Sequence, residues 1–315
     1  MLSKKLKKLI SAVCVFALCL CLFACGERKC DTYRDSDKPL VVTTLFAYYD
    51  LARQVLGDCA EVRLLVPPGT DSHSYEPTPK DVALLGECSL FIYTGGEEDG
   101  VFEELLASLD TPVDSLRLID FVEPLCEEEH EHGHAHSHEH GHGEYDPHIW
   151  TSPKNAILIC EAIAAAASEF ESFSPDLCIE YTAQLASLDA EFEALLADST
   201  KPLIFADRFP FRYFAAHYSL EYYSPFPGCA DYTEPSAKTV ATLLKTAREH
   251  GVNTVFYTEG SDLSAAKAIA NELGGDCRLL HSCHRVTQAE LESGITYLSI
   301  MKQNLEALTE VFNAD

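Results

Sequence analysis

Seven histidines recur between residues 130 and 142: His130, His132, His134, His136, His138, His140 and His142. Neutral imidazole is a nitrogen donor for borderline transition metals near physiological pH. The residues between them are Gly, Ala, Ser and Glu, which build no hydrophobic core and leave the segment free to rearrange around an ion. Ordering such a loop costs conformational entropy, so it binds weakly and exchanges fast. It reads as a collector of metal ions, and the principal site must be built from folded elements.

Two histidines have flanks that suit a folded site. His73 sits in His73-Ser74-Tyr75-Glu76-Pro77-Thr78-Pro79, where the prolines restrict the backbone and Glu76 is placed to accept from the ring. His148 sits in Asp146-Pro147-His148-Ile149-Trp150, with Asp146 to orient it and Trp150 to exclude water. In the C-terminal half, His281, Glu234, Glu259 and Asp207 stand at expected strand exits or helix entries. His281 is the best metal ligand among them by chemistry. Arg208 stays protonated and cannot coordinate a metal, so it is expected to bridge Glu234 or Glu259 or to hold two lobes together. His217, His250 and His284 lack supporting context and read as surface or helix residues. The His-x-x-Glu at 73–76 is not the His-Glu-x-x-His of metalloproteases, no nucleophile elbow appears, and no C-x-x-C pair supports a thiolate zinc site.

Alternating strand and helix signals supply elements to carry these residues. Strands are expected at 40–46, 62–66 and 90–93, with helices near 51–56, 82–85 and 101–109 between or after them. The pattern breaks at 127–144 and resumes with a helix over 156–170. A longer helix follows over 176–196, with an apolar stripe of Tyr181, Leu185, Leu188, Phe192 and Leu195. Alternation returns with strands at 202–205, 254–257 and 278–280, a helix at 264–273 and a closing helix over 291–312. This predicts an α/β fold of two lobes with parallel sheets joined by a long helix, with the site in the cleft between them. The boundaries expected are a leader 1–24, a polar linker 25–37, an N-terminal lobe 38–175, a linking helix 176–199 and a C-terminal lobe 200–315.

The ends and the composition bear on location and partners. Lys4, Lys5, Lys7 and Lys8 precede an apolar run, and Leu22-Phe23-Ala24-Cys25-Gly26 has the form of a lipobox, which predicts lipidation at Cys25. No later stretch is apolar for long enough to span a bilayer. Removing 1–24 would take the formal charge from −27 to −31, which argues against nucleic acid as a partner. Nine of the 13 cysteines lie beyond Cys25. That odd number leaves a thiol over, and Cys277 and Cys283 are near enough in sequence to pair.

Over nearly its whole mature length the chain resembles the solute-binding proteins of zinc and manganese ABC transporters. The matching residues are His73 through Pro79, the histidine-rich insert, Asp146 through Trp150, Tyr213-Phe214-Ala215, Glu234-Pro235-Ser236, and Tyr297 through Leu308. The resemblance implies two Rossmann-like lobes bridged by a long helix, an interlobe metal, and delivery to an ABC permease by a monomeric, lipid-anchored receptor that is not an enzyme. It also implies Zn²⁺ as the ligand more than Mn²⁺, given the histidine-rich loop. The family's third ligand position falls on Arg208 and its fourth on His281. The expected metal set is therefore His73, His148, His281 and Glu234, with Asp207 and Glu259 as substitutes for Glu234. Competing expectations are a Mn²⁺ receptor, a metal-buffering surface adhesin and a secreted zinc hydrolase.

Overall fold

The structure, a computed structural model, describes residues 37–97, 99–126, 145–228 and 235–313. The expected leader 1–24, Cys25, residues 127–144 and Glu234 lie outside the described residues. Lys38–Asp315 form one compact unit.

Four-residue runs of apolar and β-branched side chains make the first sheet. In β1 (Leu40–Thr43) and β3 (Leu90–Tyr93) every residue is buried, as expected for parallel strands covered on both faces. β2 (Glu61–Leu64) and β4 (Ser115–Arg117) flank them, giving the all-parallel order β2-β1-β3-β4. Helices α1 (Phe46–Leu56), α2 (Pro79–Glu87) and α3 (Gly100–Ser108) make the crossovers. The first strand is shorter than expected. Leu45 is its extended exit residue, and Phe46 already opens α1.

Helix α4 (Pro153–Ala166) and the 22-residue α5 (Pro175–Leu196) pack together between the two halves of the chain. At 1.5 Å per residue α5 is about 33 Å long. Its buried stripe is Cys178, Tyr181, Leu185, Leu188, Phe192 and Leu196, so Leu196 closes it in place of Leu195.

The second half is again parallel. β5 (Leu203–Ile204) pairs with β7 (Tyr222–Tyr223), and β9 (Val255–Tyr257) pairs with β10 (Cys277–Leu279). A parallel bridge from Phe205 to Phe256 connects these pairs. A separate short pair joins β6 (Arg208–Phe209) to β8 (Phe226–Pro227). Helices α6 (Arg212–His217), α7 (Ala237–Glu249) and α8 (Ser264–Leu273) intervene. The expected closing helix is two. α9 (Gln288–Glu292) stops before Gly294, whose φ of +80° takes the chain out of helical geometry, and α10 (Tyr297–Phe312) restarts behind Thr296 with a capping box.

One hydrophobic core runs through both halves, including Trp150, Tyr48, Phe192, Tyr213 and Tyr297. All seven described cysteines are free. Cys277 and Cys283 therefore do not pair: Cys277 is held in the β10 register, while Cys283 is buried in the following loop. Burial pushes the Cys283 thiol well up, as it does for Cys160.

Candidate metal centre

Three histidines from three separate segments meet between the two halves. His73 follows β2 through the Pro67-Pro68-Gly69 turn, and the Gly69 N–H donates to Val286 O at 2.8 Å. That bond ties the His73 loop to the loop after β10. Asp71 caps a short 3₁₀ turn (Ser72–Ser74), its Oδ1 accepting from the His73 N–H at 3.2 Å. Asp71 thus holds the His73 backbone from two residues before it, and Glu76, expected to accept from the ring, is exposed.

His148 follows the antiparallel bridge Cys126–Tyr145, whose two residues flank the histidine-rich segment in sequence. Asp146 Oδ1 accepts from the His148 backbone N–H at 2.9 Å and lies 3.0 Å from Nδ1. This orients the ring, with Nε2, also buried, turned away from Asp146. Asp146 is held in turn: Tyr213 Oη donates to its carbonyl at 2.9 Å and accepts from the Leu125 N–H at 3.1 Å. Gly228 lies against the ring so closely that a Cβ there would sit 2.7 Å from His148 Cε1. Trp150 covers the group, with its ring centroid 5.4 Å from that of His148 and 5.6 Å from that of His284. Its Nε1–H donates to Ser282 O at 2.8 Å.

The third histidine is His284. Its ring centroid lies 4.8 Å from that of His73 and 6.1 Å from that of His148, while His73 and His148 are 5.5 Å apart. Among the described residues, Asp71, His73 and His284 form a group whose donor atoms all lie within 4.8 Å of one another. Burial lowers the His284 pKa well below its ordinary value, and the neighbouring His73, His148, Arg208 and Arg285 add to the effect. The imidazole is therefore neutral at physiological pH, the form that coordinates metal. Ser72 Oγ is 2.5 Å from His284 Nε2, which leaves Nδ1 as the ring's other donor.

His281, the expected ligand of this loop, is placed differently. Its backbone is clamped by Asn304, whose Oδ1 accepts from the His281 N–H and whose Nδ2 donates to the His281 carbonyl, both at 2.8 Å. Its Nδ1 accepts from the Cys283 N–H at 3.0 Å and lies 3.6 Å from Glu259. The ring thus turns back into its own loop, and His284 occupies the position expected of it. Glu259 organises the same loop, accepting from the Ser282 N–H and Oγ and from the His284 N–H. Asp207 accepts from the Thr258 N–H and Oγ1 at 3.0 and 3.2 Å, and burial raises its pKa. Neither substitute for Glu234 therefore joins the three rings. Arg208 pairs with Asp71, its Nη1 lying 3.1 Å from Oδ2.

Three imidazoles and one carboxylate are a donor set suited to a borderline divalent ion in four-coordinate geometry. Of these four side chains, Asp71 and His284 were not expected from the sequence. The signals for them are slight: an acid two residues before His73, and a second histidine three residues after His281.

Comparison with known proteins agrees with this fold. The model of the ZnuA family, described as the periplasmic component A of zinc-uptake complexes, matches residues 41–311. The high-affinity zinc uptake system protein ZnuA of Bacillus subtilis is 33% identical over 311 residues, covering 95% of this chain and 97% of that protein. Zinc-binding lipoprotein AdcA of Streptococcus pneumoniae is 29% identical across 98% of this chain, which spans only 61% of AdcA. The crystal structure of the metal-dependent lipoprotein YcdH from B. subtilis superposes with a TM-score of 0.73 at 26% identity, covering 87% of this chain and 99% of that one. The Zn(II)-bound ZnuA-like domain of S. pneumoniae AdcA gives 0.71 at 27%, covering 88% and 99%. With the family model spanning residues 41–311, the chain belongs to the ZnuA family of periplasmic zinc-uptake components.

Proposed function

We propose that this protein is an extracytoplasmic receptor that captures Zn²⁺ through His73, His148 and His284 and hands it to an ABC-type permease. The observation that carries the reading is the convergence of three buried or half-buried imidazoles from three chain segments. Three nitrogen donors favour Zn²⁺ over the harder Mn²⁺. Binding and release require no bond cleavage. The lipobox at Cys25 supports anchoring of a monomeric receptor on the outer face of the cell membrane, with the linker 25–37 as tether. Within the site, His281 and Glu259 hold the His284 loop in position.

The test is Zn²⁺ competition against a chromophoric chelator, run on the parent and on His73→Ala/His148→Ala. The double variant should lose about 100-fold or more in affinity, since even indirect support of a ligand is worth about 10–100-fold. Zinc-limited cells lacking the protein should regain zinc uptake from the parent chain and not from this variant. Restoration by the variant would sink the transport reading.

A further inference from the structure

Arg208 is a buried cation beside a site for cations. It lies on β6, only 6% exposed, and its Nη1 is 3.1 Å from Asp71 Oδ2. Arg285 Nη1 lies 3.6 Å from the same oxygen. One of the Asp71 carboxylate oxygens is within 4.8 Å of donor nitrogens of both His73 and His284. Ligands about 2.0–2.2 Å from a tetrahedral zinc lie about 3.3 Å from each other, so a short inward movement completes such a set.

We propose that Asp71 is the oxygen ligand of the cargo ion and that Arg208 is its built-in competitor. Before the ion arrives, the guanidinium neutralises the carboxylate and prevents an uncompensated buried charge. Once the ion is bound, the same fixed positive charge repels it through a medium of low dielectric and draws electron density from its carboxylate ligand. Arg208 thus sets the affinity below what three imidazoles and a carboxylate would give alone, which favours release to a permease. Arg285 keeps its hold on Asp71 when Arg208 is replaced, so neutralising position 208 removes repulsion without freeing the ligand. The inference rests on the receptor reading of this site.

The experiment uses the full mature chain and Zn²⁺ itself, with a chelator strong enough that the histidine-rich loop stays empty. Arg208→Gln should tighten Zn²⁺ binding by about ten-fold or more, the direction expected from removing a positive charge close to the ion. Arg208→Lys retains the charge and should not reproduce that gain. Arg208→Met supplies the same neutralisation with different packing if the glutamine variant fails to fold. Asp71→Asn should weaken binding by about ten-fold or more, and X-ray absorption at the zinc edge should show three imidazoles and one oxygen in the parent. An uncharged variant that folds and binds zinc no more tightly than the parent overturns the competitor role. Parental affinity in Asp71→Asn overturns the ligand role. If His73→Ala/His148→Ala keeps parental affinity, the receptor reading itself has failed. If that pair loses zinc while Arg208→Gln gains nothing, only the assignment of Arg208 falls.

Discussion

The His148 ring is fixed from two sides by residues of opposite character. Asp146 accepts from the backbone and faces Nδ1, while the bare Cα of Gly228 gives the ring room. An alanine at 228 would place its Cβ 2.7 Å from Cε1, 2.9 Å from Nδ1 and 3.1 Å from Phe209 O, so ring or backbone must shift. Gly228→Ala should therefore cost about ten-fold in Zn²⁺ affinity, in the range that loss of ligand positioning usually costs. Chelator competition reads this directly, and unchanged affinity would show that the ring is not held from that side. Asp146 was legible because it stands two residues from its histidine. His284 was not legible, since the exit of the expected strand 278–280 pointed to His281 instead. The Glu259 contacts and the left-handed backbone at Cys283 (φ +60°) decide which ring faces the other two.

At the scale of elements, the two halves are joined by caps as well as by packing. Asp50 on α1 is fully buried, and its Oδ2 accepts from the Tyr297 N–H at 2.7 Å, 247 residues away. One of the otherwise unbonded donors at the start of α10 is thus satisfied by a side chain of the N-terminal half. Its Oδ1 accepts from Gln54 Nε2 at 3.2 Å. Asp50→Ala strips both donors of their acceptor and should cost about 1–3 kcal/mol of stability, seen as a lower urea midpoint with little change in slope. An unchanged midpoint would mean that the Thr296 capping box alone supports α10. The long linking helix was readable from its apolar stripe, whereas the break at Gly294 was hidden because the apolar positions continue past it.

For the whole molecule, a ligand that touches both halves must stabilise them as a unit. His73 and His148 belong to the first half and His284 to the loop after β10, so an ion held by all three rings would tie the two together. At a free Zn²⁺ concentration 1,000 times the dissociation constant, binding adds about 4 kcal/mol to the unfolding free energy. Thermal unfolding of the parent should shift upward with zinc, and His284→Ala should lose most of that shift. A full shift in that variant would remove His284 from the ligand set. Deleting residues 130–142 should leave the tight event in place and remove several weak ones, as resolved by calorimetry under chelator competition. Loss of the tight event would move the main site into the loop.

Residue chemistry and period alone determined the class of ligand, the alternation of strands and helices, and two of the three histidines. These features are local: a buried parallel strand needs a continuous apolar run, and His148 carries its acid two residues away. The remaining parts of the site depend on contacts between segments far apart in sequence. Asp71 meets Arg208 only because β6 pairs with β8 beside the His73 loop. His284 meets His73 because Gly69 bonds to Val286 and Trp150 to Ser282. Tertiary structure decided those pairings, because no local period or spacing encodes which of two nearby imidazoles turns toward a loop some 200 residues earlier.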